Sequence, residues 1–151
     1  MTSEKAIEYV LKEQIITYRM LHDILKKERA CLVNIDTEKI EEISKEKDTT
    51  VMRLRLLEEE RQRLTTKFIA ENDLDENINL NDLGKLTGND MLLELRSQMI
   101  SLLQSIEEMN QFNSSLIDRS INNIKNTMNF ISTFSKEDNT RTSGVLLSKE
   151  T

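Results

Sequence analysis

The longest uninterrupted apolar pattern in the chain runs from Asn89 to Phe134. Apolar side chains recur there every three or four residues, which is the spacing of one helix face, and neither proline nor glycine breaks the run. A helix of about 46 residues is on the order of 70 Å long, and no other segment matches that length. Part of this apolar pattern is therefore predicted to lack a partner inside the chain. Its members are Leu92, Leu95, Met99, Leu102, Ile106, Met109 and Leu116, then Ile121, Ile124, Met128, Ile131 and Phe134.

Composition favours long, surface-rich helices over a thick globular core. Charged residues make up 32% of the 151 residues, aromatic residues only 4%, and proline is absent. The net charge of −6 argues against nucleic acid or an anionic membrane surface as partner. No run approaches the roughly 18 apolar residues of a membrane span, and the amino terminus has no apolar leader segment. Together with the single Cys31, these features predict a cytoplasmic protein without membrane insertion.

Two further helices are predicted before the long one, at about residues 4–33 and 37–70 from their apolar periodicity. Ser3 is the expected N-cap of the first helix, which should end near Asn34, a residue that tolerates the left-handed conformation. Asp36 should cap the second helix, with Ile35 and Ile40 placed to form a hydrophobic staple. So short a connection makes the two helices antiparallel.

The predicted fold is all-α: an antiparallel helical hairpin plus one long third helix at about residues 89–134, forming a coiled-coil-like three-helix bundle. Residues 71–89 break the helical period, and Leu80, Leu83 and Leu86 suggest a short helical turn that lays its leucines on the bundle end. Asn89 is the expected cap of the long helix. Residues 1–134 form the predicted domain, and residues 135–151 a flexible tail.

Polar residues at seam positions leave two interpretations open. Lys47 and Arg61 on the second helix, and Glu28 on the first, either keep their charged ends in water or pair across the bundle and specify register. Asn113 interrupts the apolar pattern of the long helix. A lone asparagine there either selects register or offers a hydrogen bond to a binding partner.

No motif in the sequence predicts catalysis, a cofactor or a metal site. His22 is the only histidine and has no set of ligands around it, and Cys31 is predicted to be a small buried hydrophobe. The segment from Asp73 opens like an EF-hand loop, but Ile78 and Gly84 stand where glycine and glutamate are required. We therefore expect a binding protein and not an enzyme.

The length mismatch predicts where binding takes place. The first two helices cover about 45–50 Å, so the third should overrun the turn at Asn34–Asp36 by roughly 20 Å and leave its last apolar residues exposed as an interaction surface. Asparagine is frequent opposite that face, and such a segment is expected to be only partly helical until a partner docks. Alternatively, the overhang folds back on its own bundle or pairs with a second copy, as in a self-associating coiled-coil scaffold.

Three stretches together resemble the FlgN-type flagellar export chaperones. Residues 21–32 read LHDILKKERACL, residues 35–47 read IDTEKIEEISKEK and are followed by Leu57 and Arg61, and residues 109–117 read MNQFNSSLI. The resemblance implies a cytoplasmic bacterial chaperone for the hook-associated proteins of the hook–filament junction. It also implies the membrane-embedded export gate and the export ATPase complex as further partners.

The resemblance places client binding at the back of the third helix and in the tail. The positions that correspond are Asn110, Asn113, Leu116, Ile117, Ile121, Ile124, Met128, Ile131 and Phe134. Family members often carry a tyrosine before a tail glycine, associated with docking at the gate, whereas this chain has Thr140 ahead of Gly144. The apolar patch of Val145, Leu146 and Leu147 is the candidate substitute for tail docking.

Overall fold

The structure, a computed structural model, describes the backbone of residues 1–142 and the side chains of residues 1–135. Within that range the chain forms four helices and no strand: α1 (Ser3–Asn34), α2 (Thr37–Glu71), α3 (Leu80–Thr87) and α4 (Asp90–Thr142). The predicted all-α fold is therefore confirmed. The chain divides into two compact units, the first Met1–Asn113 and the second beginning at Ser114.

Helices α1 and α2 form the predicted antiparallel hairpin. Hydrogen bonds and ion pairs link the two helices along their length. The Gln14 amide donates to Glu58 at 2.8 Å, and Lys47 Nζ lies 3.3 Å from Glu28 Oε2, so residues later in α1 meet residues earlier in α2. Asp36 caps α2 as predicted, because its Oδ1 accepts from the Lys39 amide at 3.3 Å.

Three details of the helix ends differ from the predictions. The N-cap of α1 is Thr2 rather than Ser3, since the Thr2 hydroxyl accepts from the Lys5 amide at 3.2 Å. The left-handed residue after α1 is Ile35, with φ 53°, and not Asn34. Because the Ile35 side chain is 76% exposed, it does not form the expected staple with Ile40.

The first unit is held by an apolar cluster to which all four helices contribute. It joins α1 and α2 to α3 and to the start of α4, through Ile7, Val10, Leu11, Ile15, Leu64, Phe68, Leu83, Leu92 and Leu95. A second cluster, of Leu21, Leu25 and Leu54, is covered by Tyr18, Ile106 and Met109. The seam predicted for the early part of the long helix thus packs against the hairpin, with Leu92 and Leu95 buried and the later members partly buried.

Short helix α3 packs two of the three predicted leucines, Leu80 and Leu83, against the apolar cluster. Leu83 is fully buried, Leu80 is half-buried, and Leu86 is 61% exposed. Three residues advance about 300° around a helix, so leucines spaced three apart drift by about 60° at each step and the third leaves the face. The turn between α3 and α4 is tight, and Gly88 adopts the left-handed conformation there with φ 64°. Within α3, Gly84 allows α4 to approach closely, because a Cβ at this position would lie 2.8 Å from Leu93 Cδ2.

Asn89 caps α4 as predicted and also ties that helix to α1. Its Oδ1 accepts from the Met91 and Leu92 amides at 3.0 and 3.3 Å, while its Nδ2 donates to Glu4 and Glu8, each at 2.6 Å. The Asn89 hydrogen bond lowers the pKa of the buried Glu8 carboxyl; burial opposes this effect, and the Lys5 charge adds to it.

We predict that this contact makes the bundle sensitive to acid. A carboxyl whose pKa is lowered by folding stabilises the protein above its unfolded pKa of about 4.3, and this contribution is lost as the pH falls through the folded pKa. The free energy of unfolding in urea should therefore fall less between pH 7 and pH 3 in Glu8→Gln than in the parent chain. Asn89→Ser, which keeps a capping oxygen but removes the amide donor, should reduce the fall as well. Equal falls in all three chains would contradict the prediction.

Beyond Asn113, α4 continues as a helix to Thr142, past the end predicted at Phe134. The prediction placed the end where the apolar pattern stops, but no glycine or proline stands between Phe134 and Gly144 to terminate a helix. The remainder of the predicted tail, residues 143–151, lies outside the described residues.

Candidate interaction surface on the fourth helix

The second unit presents a row of exposed apolar side chains on α4. Five of them, at alternating spacings of four and three, occupy one helix face, and Phe134 flanks it. The exposed fractions are 39% for Ile117, 45% for Ile121, 59% for Ile124, 63% for Met128, 57% for Ile131 and 63% for Phe134. We call these six residues the apolar stripe. An exposed apolar surface of this kind is typical of an interaction site.

Phe130 is a further exposed apolar residue of this segment that the sequence reasoning missed. It is 71% exposed and lies about 140° around the helix from the centre of the stripe, beyond Phe134. It lies four residues before Phe134, so the two rings widen the apolar surface on one side. The signal that would have found it is this Phe130–Phe134 spacing rather than the three-four repeat.

Few charges accompany the stripe. From Ser114 to Ser135 the charged side chains are Asp118, Arg119 and Lys125, although charged residues make up 32% of the whole chain. Asn122, Asn126 and Asn129 occupy the side opposite the stripe and are exposed. The exposed surface of this segment is therefore mainly apolar and amide in character, with little charge.

The other residues predicted for the site lie in different surroundings. Asn110 is exposed and Leu116 is half-buried. Asn113 is 1% exposed, and its Nδ2 donates to the Leu25 carbonyl and to Glu28 Oε1, both at 2.9 Å. The amide donor of Asn113 is thus used inside the first unit. Val145, Leu146 and Leu147 lie outside the described residues.

The Asn113 contact belongs to a buried polar cluster that joins the three long helices within the first unit. Glu28 accepts from Asn113 through Oε1 and pairs with Lys47 through Oε2 at 3.3 Å. One residue earlier on α4, the ring of Phe112 receives the Arg29 guanidinium at 4.5 Å from its centroid, a cation–π contact. Of the charged seam residues, Lys47 and Glu28 pair across the bundle, whereas Arg61 pairs along its own helix with Glu58.

No candidate membrane-spanning helix is found in the described part of the chain. Cys31 is a free thiol buried beside Ile24 and Ile43, as a small hydrophobe would be.

Comparison with known proteins identifies the family. The model of the FlgN protein family matches residues 1–144, nearly the whole chain. The chain belongs to the FlgN family. The FlgN family consists of flagellar chaperones, so the resemblance predicted from the three stretches is confirmed. Comparison with curated proteins and with solved structures gave no significant match.

Membership of the FlgN family also bears on the chemistry of the site. The match covers both the buried bundle and the stripe, and FlgN proteins act as chaperones rather than through a recognised catalytic centre. Among the described residues, no group of three or more His, Cys, Asp or Glu side chains is placed to hold a metal ion.

Proposed function

We propose that this protein is a cytoplasmic flagellar export chaperone that binds the terminal helices of hook-associated proteins through the apolar stripe of α4. The client's amphipathic helix packs its apolar face on the stripe and is thereby kept from assembling too early. The protein then delivers the bound client to the membrane-embedded export gate and to the export ATPase complex. Membership of the FlgN family supports this delivery step. Whether Val145, Leu146 and Leu147 take part in that delivery stays a prediction.

The observation that carries the proposal is the exposure of the stripe. Six apolar side chains are between 39% and 63% exposed on a segment of fewer than twenty residues. Soluble proteins seldom leave a continuous apolar surface of that kind without a partner. Residues at three-four spacing are the anchors of helix-to-helix recognition, in which two amphipathic helices bury their apolar faces together.

The adaptable Met128 side chain and the low charge around the stripe fit a chaperone with several related clients. Met128 has an unbranched, adaptable side chain that accommodates different partner surfaces. The charged residues between Ser114 and Ser135 are Asp118, Arg119 and Lys125. With so few charges, electrostatic repulsion discriminates little between different amphipathic client helices. The same lack of charge gives no anchor for a strongly charged partner.

The proposal is tested by placing charges on the stripe. We expect Ile124→Glu with Ile131→Glu to reduce the affinity for a purified hook-associated protein at least about a hundredfold, because burial of two unpaired carboxylates costs several kcal/mol. The measurement is titration calorimetry, together with light-scattering mass of the mixture. Far-ultraviolet circular dichroism and urea unfolding should show an intact bundle, since both positions are exposed.

The matched control carries the same charges on the opposite side of the same segment. Asn122→Glu with Asn129→Glu introduces two glutamates at the same spacing of seven residues, also at exposed positions. This variant should bind as the parent chain does. Unchanged binding by the stripe variant would refute the proposal, and a stable client-independent oligomer in the light-scattering data would favour the coiled-coil scaffold instead.

A further inference from the structure

Asn89, the cap of α4, and Asn113 within α4 make the same kind of bond to α1, one at each end of the seam. Asn89 Nδ2 donates to Glu4 Oε1 at 2.6 Å, and Asn113 Nδ2 donates to Glu28 Oε1 at 2.9 Å. In both pairs the partners are 85 residues apart in sequence. Helices α1 and α4 therefore run parallel and stay in step between these bonds, which lie roughly 36 Å apart at the rise of an α-helix.

The apolar seam between the two bonds does not define one register by itself. Leu95, Met99, Leu102, Ile106 and Met109 repeat every three or four residues. A displacement of α4 by one turn along α1 would again put apolar side chains against apolar side chains. Hydrophobic contact is non-directional, so it discriminates weakly between such arrangements. Groups with a specific partner separate them more sharply.

The Asn113 bond has the marks of a specificity contact rather than of a stabilising one. Its Oδ1 is buried without a hydrogen-bond partner among the described residues, a situation that costs about 1–3 kcal/mol. Glu28 is itself 8% exposed and depends on Asn113 and Lys47 for its contacts. An aliphatic residue at this seam position would avoid the cost of the buried amide. A polar residue in an apolar seam commonly selects register at the expense of stability.

We propose that Asn89 and Asn113 are positioning residues that select the register of α4 against α1. Asn113 thereby determines which residue of α4 is the last to enter the seam. A displacement by one turn would put Ile117 where Asn113 lies, and Ile117 would no longer be available at the start of the stripe. This consequence for binding rests on the proposed function, whereas the register itself does not.

The test measures register directly and uses no client. Spin labels are attached at Lys12→Cys and Gln111→Cys, both exposed positions, in a chain that also carries Cys31→Ser. The labels lie on different helices at different heights, so a one-turn displacement changes their separation by about 5 Å. Double electron–electron resonance should give one narrow distance distribution for the labelled parent.

The variants remove the two bonds one at a time and together. Asn113→Leu removes the seam amide, and Asn89→Ser keeps a cap oxygen while removing the donor to Glu4. We expect the double variant to show a second distance component displaced by about 5 Å, and Asn113→Leu alone to show a broadened distribution. If the double variant does not fold, as judged by circular dichroism, the Asn113→Leu distribution decides.

A purely structural role predicts a different result. In that case the variants would change the urea midpoint while the distance distribution stayed single and narrow, and the proposal would be overturned. Asn113→Gln with Glu28→Asp transfers one methylene from the carboxylate side chain to the amide side chain and should restore the single distance. Failure of the stripe experiment would leave this outcome untouched, so the two proposals fail separately.

Discussion

A chain that ends at Ser115 should fold like the parent protein and bind no hook-associated protein. Every buried side chain among residues 1–135 lies at or before Asn113, and the first compact unit ends at that residue. Truncation therefore removes no described core contact, and we expect the free energy of unfolding in urea to change by less than about 0.5 kcal/mol. It removes the whole apolar stripe, so titration with a purified hook-associated protein should give no detectable heat and light scattering no complex.

A chain that ends at Ser135 is the matched control for this truncation. It keeps the stripe from Ile117 to Phe134 and removes only residues whose side chains the structure does not describe. If the stripe is the client site, this chain should bind as the full chain does. Loss of binding in both truncated chains would move the site to residues 136–151, and binding by the chain that ends at Ser115 would place it within the bundle.

The sequence allowed the helices and their faces to be predicted because that information is local. Repeats at three and four residues locate a helix and its buried side without any knowledge of the partner, and Ile7, Leu54 and Leu92 are buried as their spacing indicates. The Asp36 and Asn89 caps were predictable for the same reason, since each bonds to amides two or three residues away.

The fate of the polar seam residues was not predictable because their partners come from other helices. Asn113 had two open interpretations, and only the position of Leu25 and Glu28 on α1 shows that its amide is used within the bundle. In the same way, the charge on Lys47 could be paired or hydrated, and the register of the hairpin pairs it with Glu28. Register is a property of two helices together, so a single-helix pattern does not contain it.

The largest effect on stability is expected in α3, where sequence periodicity was least informative. Leu83→Ala should lower the free energy of unfolding by about 2–5 kcal/mol, because the side chain is fully buried in the cluster that joins all four helices. Part of that loss comes from the transfer of apolar atoms to water and part from the cavity that remains. Urea unfolding followed by circular dichroism measures the change, and a shift of the midpoint at constant slope would show that the transition is still two-state.

Leu86 provides the internal control, since it lies in the same eight-residue helix and undergoes the same substitution. Its side chain is 61% exposed, so Leu86→Ala should change the free energy of unfolding by less than about 0.5 kcal/mol. The two substitutions alter helix propensity equally, and their difference therefore isolates the burial of Leu83. Equal small effects would mean that α3 contributes through its helical backbone, and equal large effects would mean that Leu86 is covered in solution. A large effect at Leu83 and a small one at Leu86 would establish that α3 stabilises the apolar cluster through the buried Leu83 side chain.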